Sequence, residues 1–285
     1  MNQRQASPRV EIIILSWNGR EDTLECLASL DKVEYDNFRV TVVDNGSTDG
    51  LEAAVRSGFP AVNYLYSPVN LRFAGGNNLA LRMMSPGPVD YFLLLNNDTI
   101  VDPAFLQELV KVCETDNKIG LAGGKIYYYH QPDTIWFAGG KANIRRAYMR
   151  HLGIGKQDDG SFDYAGEVTF LNGACVLIRA SVVEQIGLLD EDYYLYGEDL
   201  DYCLRAVKAG WKLYYQPAAQ IWHKVSRSSP TLKKLYYRYW SWIILMNKHT
   251  AWYWRPLQIG NLALEFIPLI VDYLRRQAGF HRSDR

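Results

Sequence analysis

The chain has 285 residues, 48% hydrophobic and 22% charged, with Lys+Arg and Asp+Glu equal at 31 each. Such a length and balance predict a globular protein of about two ordinary domains, or one large α/β domain with an appendage, and exclude disordered, collagen-like and disulfide-scaffold classes. The neutral total conceals a split: residues 1–223 carry 20 basic and 28 acidic groups, residues 224–285 carry 11 and 3, so the two segments stand at −8 and +8.

Residues 10–17 form a nearly unbroken apolar, β-branched run, as in a strand buried on both faces. Leu24, Leu27, Ala28 and Leu30 follow at helical spacing. Residues 39–43 read as a second strand, 48–56 as a second helix capped by Ser47 or Thr48, and 62–66 and 91–95 as further strands. Strands alternating with helices predict a mostly parallel, doubly wound α/β sheet flanked by helices, with ligands bound beyond the carboxyl ends of the strands. Residues 123–163 show little periodicity and read as loops with short strands. Residues 170–179 read as a strand, 198–209 as a helix and 211–215 as a strand, while Leu232, Leu235, Tyr239, Trp242, Ile243 and Met246 trace one helical stripe. No run reaches the roughly 18 apolar residues of a spanning helix, and the polar start at residues 1–9 lacks a signal-peptide core, so the expectation is a cytoplasmic protein. Cys26, Cys113, Cys175 and Cys203 match no metal-ligand spacing and read as small buried residues.

The polar clusters fall at the predicted strand ends. Asn96-Asn97-Asp98 follows an apolar strand, where a carboxylate can hold Mg²⁺ or Mn²⁺ through hard oxygen ligands, or can simply form a turn. Asp44 ends the second strand, too early to cap the helix; its carboxylate can accept the imide N3–H of uracil or thymine. Trp17, at the neighbouring strand end, offers a face for stacking or a core filler. Residues 70–78 read as a Gly-containing loop entering a helix, where backbone N–H groups can face phosphate, although the run is neither a P-loop nor a dinucleotide fingerprint.

Gly197-Glu198-Asp199-Leu200-Asp201 sets three carboxylates at a helix start, which the helix dipole favours. Leu200, Cys203, Leu204 and Val207 form the apolar stripe, and Asp201 can pair with Arg205 on the polar face. Asp199 sits at the edge of the stripe, where partial desolvation raises a carboxyl toward the working pH of a general base. His223 follows the last strand by a short loop, and the sequence leaves its role open.

Taken in order, these runs resemble the inverting nucleotide-sugar glycosyltransferases of family 2, which have the GT-A fold. The resemblance rests on residues 13–18, 42–50, 70–78, 94–99, Asn172-Gly173-Ala174, 187–190, 196–205 and Trp222-His223. It implies a Rossmann-like catalytic domain over 1–228, its nucleotide-binding half about 1–100 and its acceptor-binding half about 101–228; residues 229–285 read from their own pattern as a basic, aromatic helical extension. It further implies Asp199 as catalytic base and Asp98 with His223 as ligands of Mg²⁺ or Mn²⁺, Asn96 replacing the first acid of the family's Asp-x-Asp motif. Ser16, Trp17, Asn18, Asp44, Asn70, Gly75, Asn78 and Asn97 would bind the nucleotide, and Asn172, Gly173 and Glu198 the acceptor. The Asn96 variant is similar to rhamnosyltransferase-like members. The implied reaction moves L-rhamnose from a dTDP-linked donor to a hydroxyl of a cell-surface glycan or lipid-linked acceptor. UDP-linked galactofuranose or N-acetylhexosamine is the alternative donor, and a non-catalytic membrane scaffold the alternative of another class. Sugar-phosphate nucleotidyltransferases open with a Gly-rich, Arg-containing loop that residues 15–19 lack.

The basic, aromatic tail suits either peripheral contact with an anionic membrane or packing on the catalytic domain or a second subunit, as in a homodimer. No nucleic-acid partner is expected. Glu265, Pro268 and Asp272 interrupt its second apolar stretch and argue against spanning.

Overall fold

The first strand, β1 (Val10–Ser16), is buried along almost its whole length, with β2 (Phe38–Asp44) and β4 (Tyr91–Asn96) parallel on either side. In this computed structural model, residues 7–84, 88–225 and 232–277 are described; most of the polar start at 1–9 and the expected boundary at 228/229 lie outside them. The registers place Ser16 opposite Asp44 and Leu15 opposite Asn96, so three polar clusters end at one edge. Between these strands run α1 (Arg20–Leu30), α2 (Leu51–Gly58), β3 (Asn63–Tyr66) and α3 (Arg72–Met84).

The second half continues through β5 (Thr99–Val101), α4 (Phe105–Thr115), β6 (Ile119–Tyr128), β7 (Gln131–Phe137), β8 (Gly140–Asn143), β9 (Tyr148–His151) and β10 (Gly166–Val168). It closes with β11 (Cys175–Arg179), α5 (Ala180–Ile186), α6 (Glu198–Lys208), β12 (Lys212–His223), α7 (Leu232–His249) and α8 (Arg255–Gln277). Ten strands form one mixed sheet, ordered β10-β12-β6-β11-β4-β1-β2-β3 with β5 and β7 attached to β12 and β6; β8 and β9 form a separate pair. β11 runs antiparallel to both β4 and β6, the main departure from a parallel sheet. Trp242, Leu245 and Met246 of α7 and Leu262 and Phe266 of α8 join the same buried cluster as the sheet.

Several sequence expectations are corrected. Residues 70–78 enter a helix earlier than read: α3 begins at Arg72, so Gly75 and Gly76 lie inside it rather than in the loop, and a Cβ on Gly76 would come within 2.3 Å of Leu15 Cδ1. Gly76 lets the helix approach β1. Residues 119–128, read in part as loop, form a ten-residue strand. β12 runs unbroken to His223, which therefore sits on a strand rather than after a loop. Neither Ser47 nor Thr48 caps α2, which starts after Gly50 in a left-handed conformation (φ 80°); Ser47 Oγ instead accepts the Asn18 N–H at 2.9 Å. Val207, expected in the buried stripe of α6, is exposed.

Candidate active site

Asp98 lies in the turn between β4 and β5, and His223 ends β12, which pairs with β5 so that His223 stands opposite Thr99. Their side chains meet: His223 Nε2 is 3.0 Å from Asp98 Oδ1 and 3.5 Å from Asn96 Nδ2. Asp98 Oδ1 and His223 Nδ1 are buried and accept or donate no aligned hydrogen bond among the described residues. Asp98 Oδ1 and His223 Nε2, 3.0 Å apart, fit neighbouring positions around an octahedral cation with bonds of about 2.1 Å. No group of three His, Cys, Asp or Glu side chains suited to a metal occurs among the described residues, so oxygen atoms of a ligand and water would supply the other positions.

The second feature is a cavity of about 590 Å³ with Asp199, Glu198, Asn172 and Trp136 in its wall and α7 along its side. Gly197, with φ 92°, ends the preceding turn and starts α6; a Cβ there would press on Tyr193 and Ser241 at 3.1 Å. Glu198 and Asp199 thus begin the helix at the cavity floor. Asp199 is half-buried; Oδ1 accepts the Leu200 N–H at 2.8 Å and Oδ2 the Gly173 N–H at 3.4 Å. Burial pushes its carboxyl up to about 6, the backbone donors opposing it. Glu198 is pushed higher, to about 8, by burial and then by the neighbouring Asp199 charge, and its Oε2 has no partner among the described residues. Asn172 lines the same cavity, its Oδ1 held by the Ala174 N–H, and Gly173 brings the backbone up to Asp199. Trp136 joins the two features, meeting the His223 ring edge-on at 4.7 Å and the His151 ring at 5.1 Å. Burial lowers His151 to about 4, leaving its imidazole neutral near neutrality.

On the nucleotide side the structure separates exposed groups from supporting ones. Trp17 is 58% exposed and so is not a core filler. Asp44 is 3% exposed; Oδ1 accepts the Ser47 N–H at 2.8 Å and Oδ2 the Tyr64 hydroxyl at 2.5 Å, leaving each oxygen one lone pair. Ser16 is buried beneath the edge, accepting from Thr23 Oγ1 at 2.8 Å, and Asn97 donates to Thr23 Oγ1 and Gly19 O, so both brace the loop after β1. Asn18 Oδ1 accepts the Thr48 N–H, binding that loop to the one after β2. Exposed Asn70 accepts the Arg72 N–H and an Asn45 amide hydrogen.

Two expectations for this side are corrected. Asn78 spends its amide inward, exchanging hydrogen bonds with the Leu189 backbone and donating to Glu191, so it fastens α3 to the 189–191 loop instead of facing a ligand. Gly75 is buried in α3, short of offering a free N–H to phosphate. Asp201 pairs with Arg205 as expected, at 2.7 Å, but at 1% exposure it is buried, also taking hydrogen bonds from His249 and Tyr193. Burial pushes its carboxyl up, and the His249 and Arg205 hydrogen bonds outweigh that and hold it below the usual range. Sequence reasoning missed Trp136, His151 and Tyr196, all in the cavity wall.

The model of the glycosyltransferase-like family 2 matches residues 8–253, most of the chain. The chain belongs to this family. This glycosyltransferase is 28% identical over 276 residues to the N-acetylglucosaminyl-diphospho-decaprenol L-rhamnosyltransferase of Mycobacterium tuberculosis, covering 88% of its own length and 89% of the relative's. It is 26% identical over 222 residues to the Escherichia coli rhamnosyltransferase WbbL, covering 75% and 83%. Its GT-A fold is shared with the mannosyltransferase PcManGT of Pyrobaculum calidifontis, solved with GDP-Man and Mn²⁺ (TM-score 0.61, 17% identity, 97% and 77% covered). GalNAc-T7, solved with UDP, GalNAc and Mn²⁺, shares it too (TM-score 0.62, 12% identity); the glycosyltransferase covers 79% of its own length there but spans only 45% of that chain.

Proposed function

We propose that the enzyme transfers L-rhamnose from dTDP-rhamnose to a hydroxyl of a cell-surface glycan or lipid-linked acceptor, in the cytoplasm and with inversion at the anomeric carbon. The observation that carries the mechanism is the arrangement around Trp136, with the Asp98–His223 pair on one side and the Asp199 cavity on the other. The likeness to two rhamnosyltransferases over three quarters or more of the chain supports the donor and the role in polysaccharide or cell-wall synthesis. Residues 1–228 act as the catalytic domain, the first hundred holding the donor and the rest the acceptor.

Trp17 stacks on the base, whose imide N–H reaches a free lone pair of Asp44. Ser16, Asn18, Asn70 and Asn97 hold the loops that shape this pocket. Asp98 and His223 would hold Mg²⁺ or Mn²⁺, and such a cation would supply Lewis-acid neutralisation of the charge on the leaving diphosphate. Asn172, Gly173 and Glu198 orient the acceptor, and Glu198, raised by burial, stays protonated near neutrality and can donate a hydrogen bond to it. Asp199 takes the acceptor hydroxyl proton while that oxygen attacks the anomeric carbon from the face opposite the nucleotide. The bond to the diphosphate breaks and dTDP departs. One base and no covalent nucleophile demand inversion.

A panel of dTDP- and UDP-sugars, read first by thermal shift and then by product NMR, tests the proposal. A saturating donor raises stability by about 2.7 kcal/mol at 100 times its dissociation constant. The β-linked dTDP-L-rhamnose should give the shift and an α-rhamnoside. A retained anomeric configuration refutes the mechanism, and a shift with UDP-sugars alone refutes the donor.

A further inference from the structure

Helix α8 turns polar as well as apolar side chains toward the protein, Leu262 and Phe266 entering the core. Gln258, Asn261 and Glu265, spaced to share one face, all turn toward the protein. Gln258 Nε2 donates to Ile144 O and Thr250 Oγ1, each at 2.9 Å, Asn261 Nδ2 donates to Arg146 O at 2.9 Å, and Glu265 pairs with Arg238. The opposite face presents Leu257, Leu264, Ile267, Pro268 and Val271 to solvent, Leu264 at 76% exposure. Among the described side chains of α8, every exposed one is apolar. Just ahead of the helix, Trp252 and Tyr253 stand in solvent, 80% and 62% exposed. An apolar patch this continuous marks a surface that something covers.

We propose that this face rests in an anionic membrane, α8 lying in the plane of the bilayer with its apolar side chains among the acyl chains and Trp252 and Tyr253 at headgroup depth. Charge selects lipid over a second copy of the chain. Residues 224–285 stand at +8 and residues 1–223 at −8, so an anionic surface attracts the tail, repels the body and orients the molecule, whereas a symmetric dimer through α8 would bring two positive tails together. Two lysines tie the tail to the body: Lys224 bridges Asp22 and Glu25, and Lys248 bridges Asp190 and Asp192. No helix among the described residues is long and apolar enough to cross a membrane, so α8 lies on the surface. α7 carries Leu235, Trp242 and Leu245 into the wall of the Asp199 cavity and takes α8 through the Arg238–Glu265 and Tyr239–Phe266 contacts, so the proposed contact sets the cavity beside the lipid surface. The proposal is independent of the donor sugar.

The test is sedimentation of the full chain with vesicles of phosphatidylcholine alone or mixed with phosphatidylglycerol. Wild type should pellet with the anionic vesicles at least about tenfold more than with the neutral ones, and high salt should weaken the binding without abolishing it. The double variant L264E/I267E should stay in the supernatant while its circular dichroism and its hydrolysis of a soluble donor remain those of wild type; L264W should still bind. Wild type left in the supernatant, or L264E/I267E pelleting like wild type, overturns the proposal. Complete release by high salt overturns the insertion of apolar side chains. A dimer by light scattering that L264E/I267E dissociates assigns the face to a second copy and also overturns it.

Discussion

Asp199→Asn keeps the shape of the side chain and removes its capacity to take a proton. The variant's Oδ1 can still accept the Leu200 N–H at 2.8 Å, while the new amide faces the Gly173 N–H at 3.4 Å, a long hydrogen bond whose loss costs about 1 kcal/mol. General-base catalysis contributes roughly 10²- to 10⁴-fold, so turnover should fall by that factor, about 2.7–5.4 kcal/mol of transition-state stabilisation. Donor affinity should hold, because Trp17 follows β1 and Asp44 ends β2, whereas Asp199 sits in α6. The pH dependence supplies a second readout. Burial raises this carboxyl from 3.8 to about 6, so the folded protein binds the proton more tightly than the unfolded chain does. Its ionisation therefore costs stability as pH rises past 3.8, and the cost is complete above about 6. Asp199→Asn should accordingly gain melting temperature relative to wild type at pH 8 and not at pH 3. Wild-type kcat/KM should climb through an acid limb near pH 6 that the variant lacks. The assay is dTDP release against pH, with thermal unfolding in the same buffers. A variant that keeps more than about a tenth of wild-type turnover refutes the assignment of the base, as does a wild-type profile flat from pH 5 to 8.

Asp201→Ala should act on stability: it strips a buried carboxylate from Arg205 and His249, a loss of about 3–5 kcal/mol by denaturant unfolding at pH 7. Because the Asp201 carboxyl is held below its ordinary value, that contribution is present at neutral pH and fades as acid titrates the folded state, so wild type and variant should converge at low pH. Chelation with EDTA should abolish transfer and Mn²⁺ restore it, and Asp98→Ala should weaken Mn²⁺ binding measured by calorimetry on the donor-saturated enzyme; full activity in excess EDTA would remove the cation from the mechanism. Gly76→Ala should cost about 1–3 kcal/mol in unfolding free energy, since the added methyl meets Leu15 inside a packed helix–strand contact.

The nucleotide half was readable because its strands are continuous apolar runs and its polar clusters end them, which is how β1, β2 and β4 present themselves. The acceptor half was less so. Gly123 and Gly124 gave the second half of β6 the composition of a loop, yet each is a close-packing site: a Cβ on Gly124 would come within 2.1 Å of Ala219 O, and one on Gly123 within 2.9 Å of Leu171 Cδ2. Asp199 could be found from local periodicity, since its position relative to Leu200 and Cys203 is set within one helix. Trp136 could not, because its place depends on β7 pairing with β6 and on His223 arriving from the end of β12. Asn78 misled for the opposite reason: its run has the look of a ligand loop, and its partner Leu189 is 111 residues away.

The four cysteines have a practical consequence. Cys26, Cys113, Cys175 and Cys203 are all buried and unpaired, and burial pushes each thiol up to about 12. The reactive species is the thiolate, so at pH 7–8 the native chain is chemically silent toward maleimides and spin-label reagents. Leu264→Cys or Trp252→Cys would then carry the one accessible thiol, and a fluorophore or nitroxide attached there would report immersion depth directly, without first stripping the natural cysteines from the core.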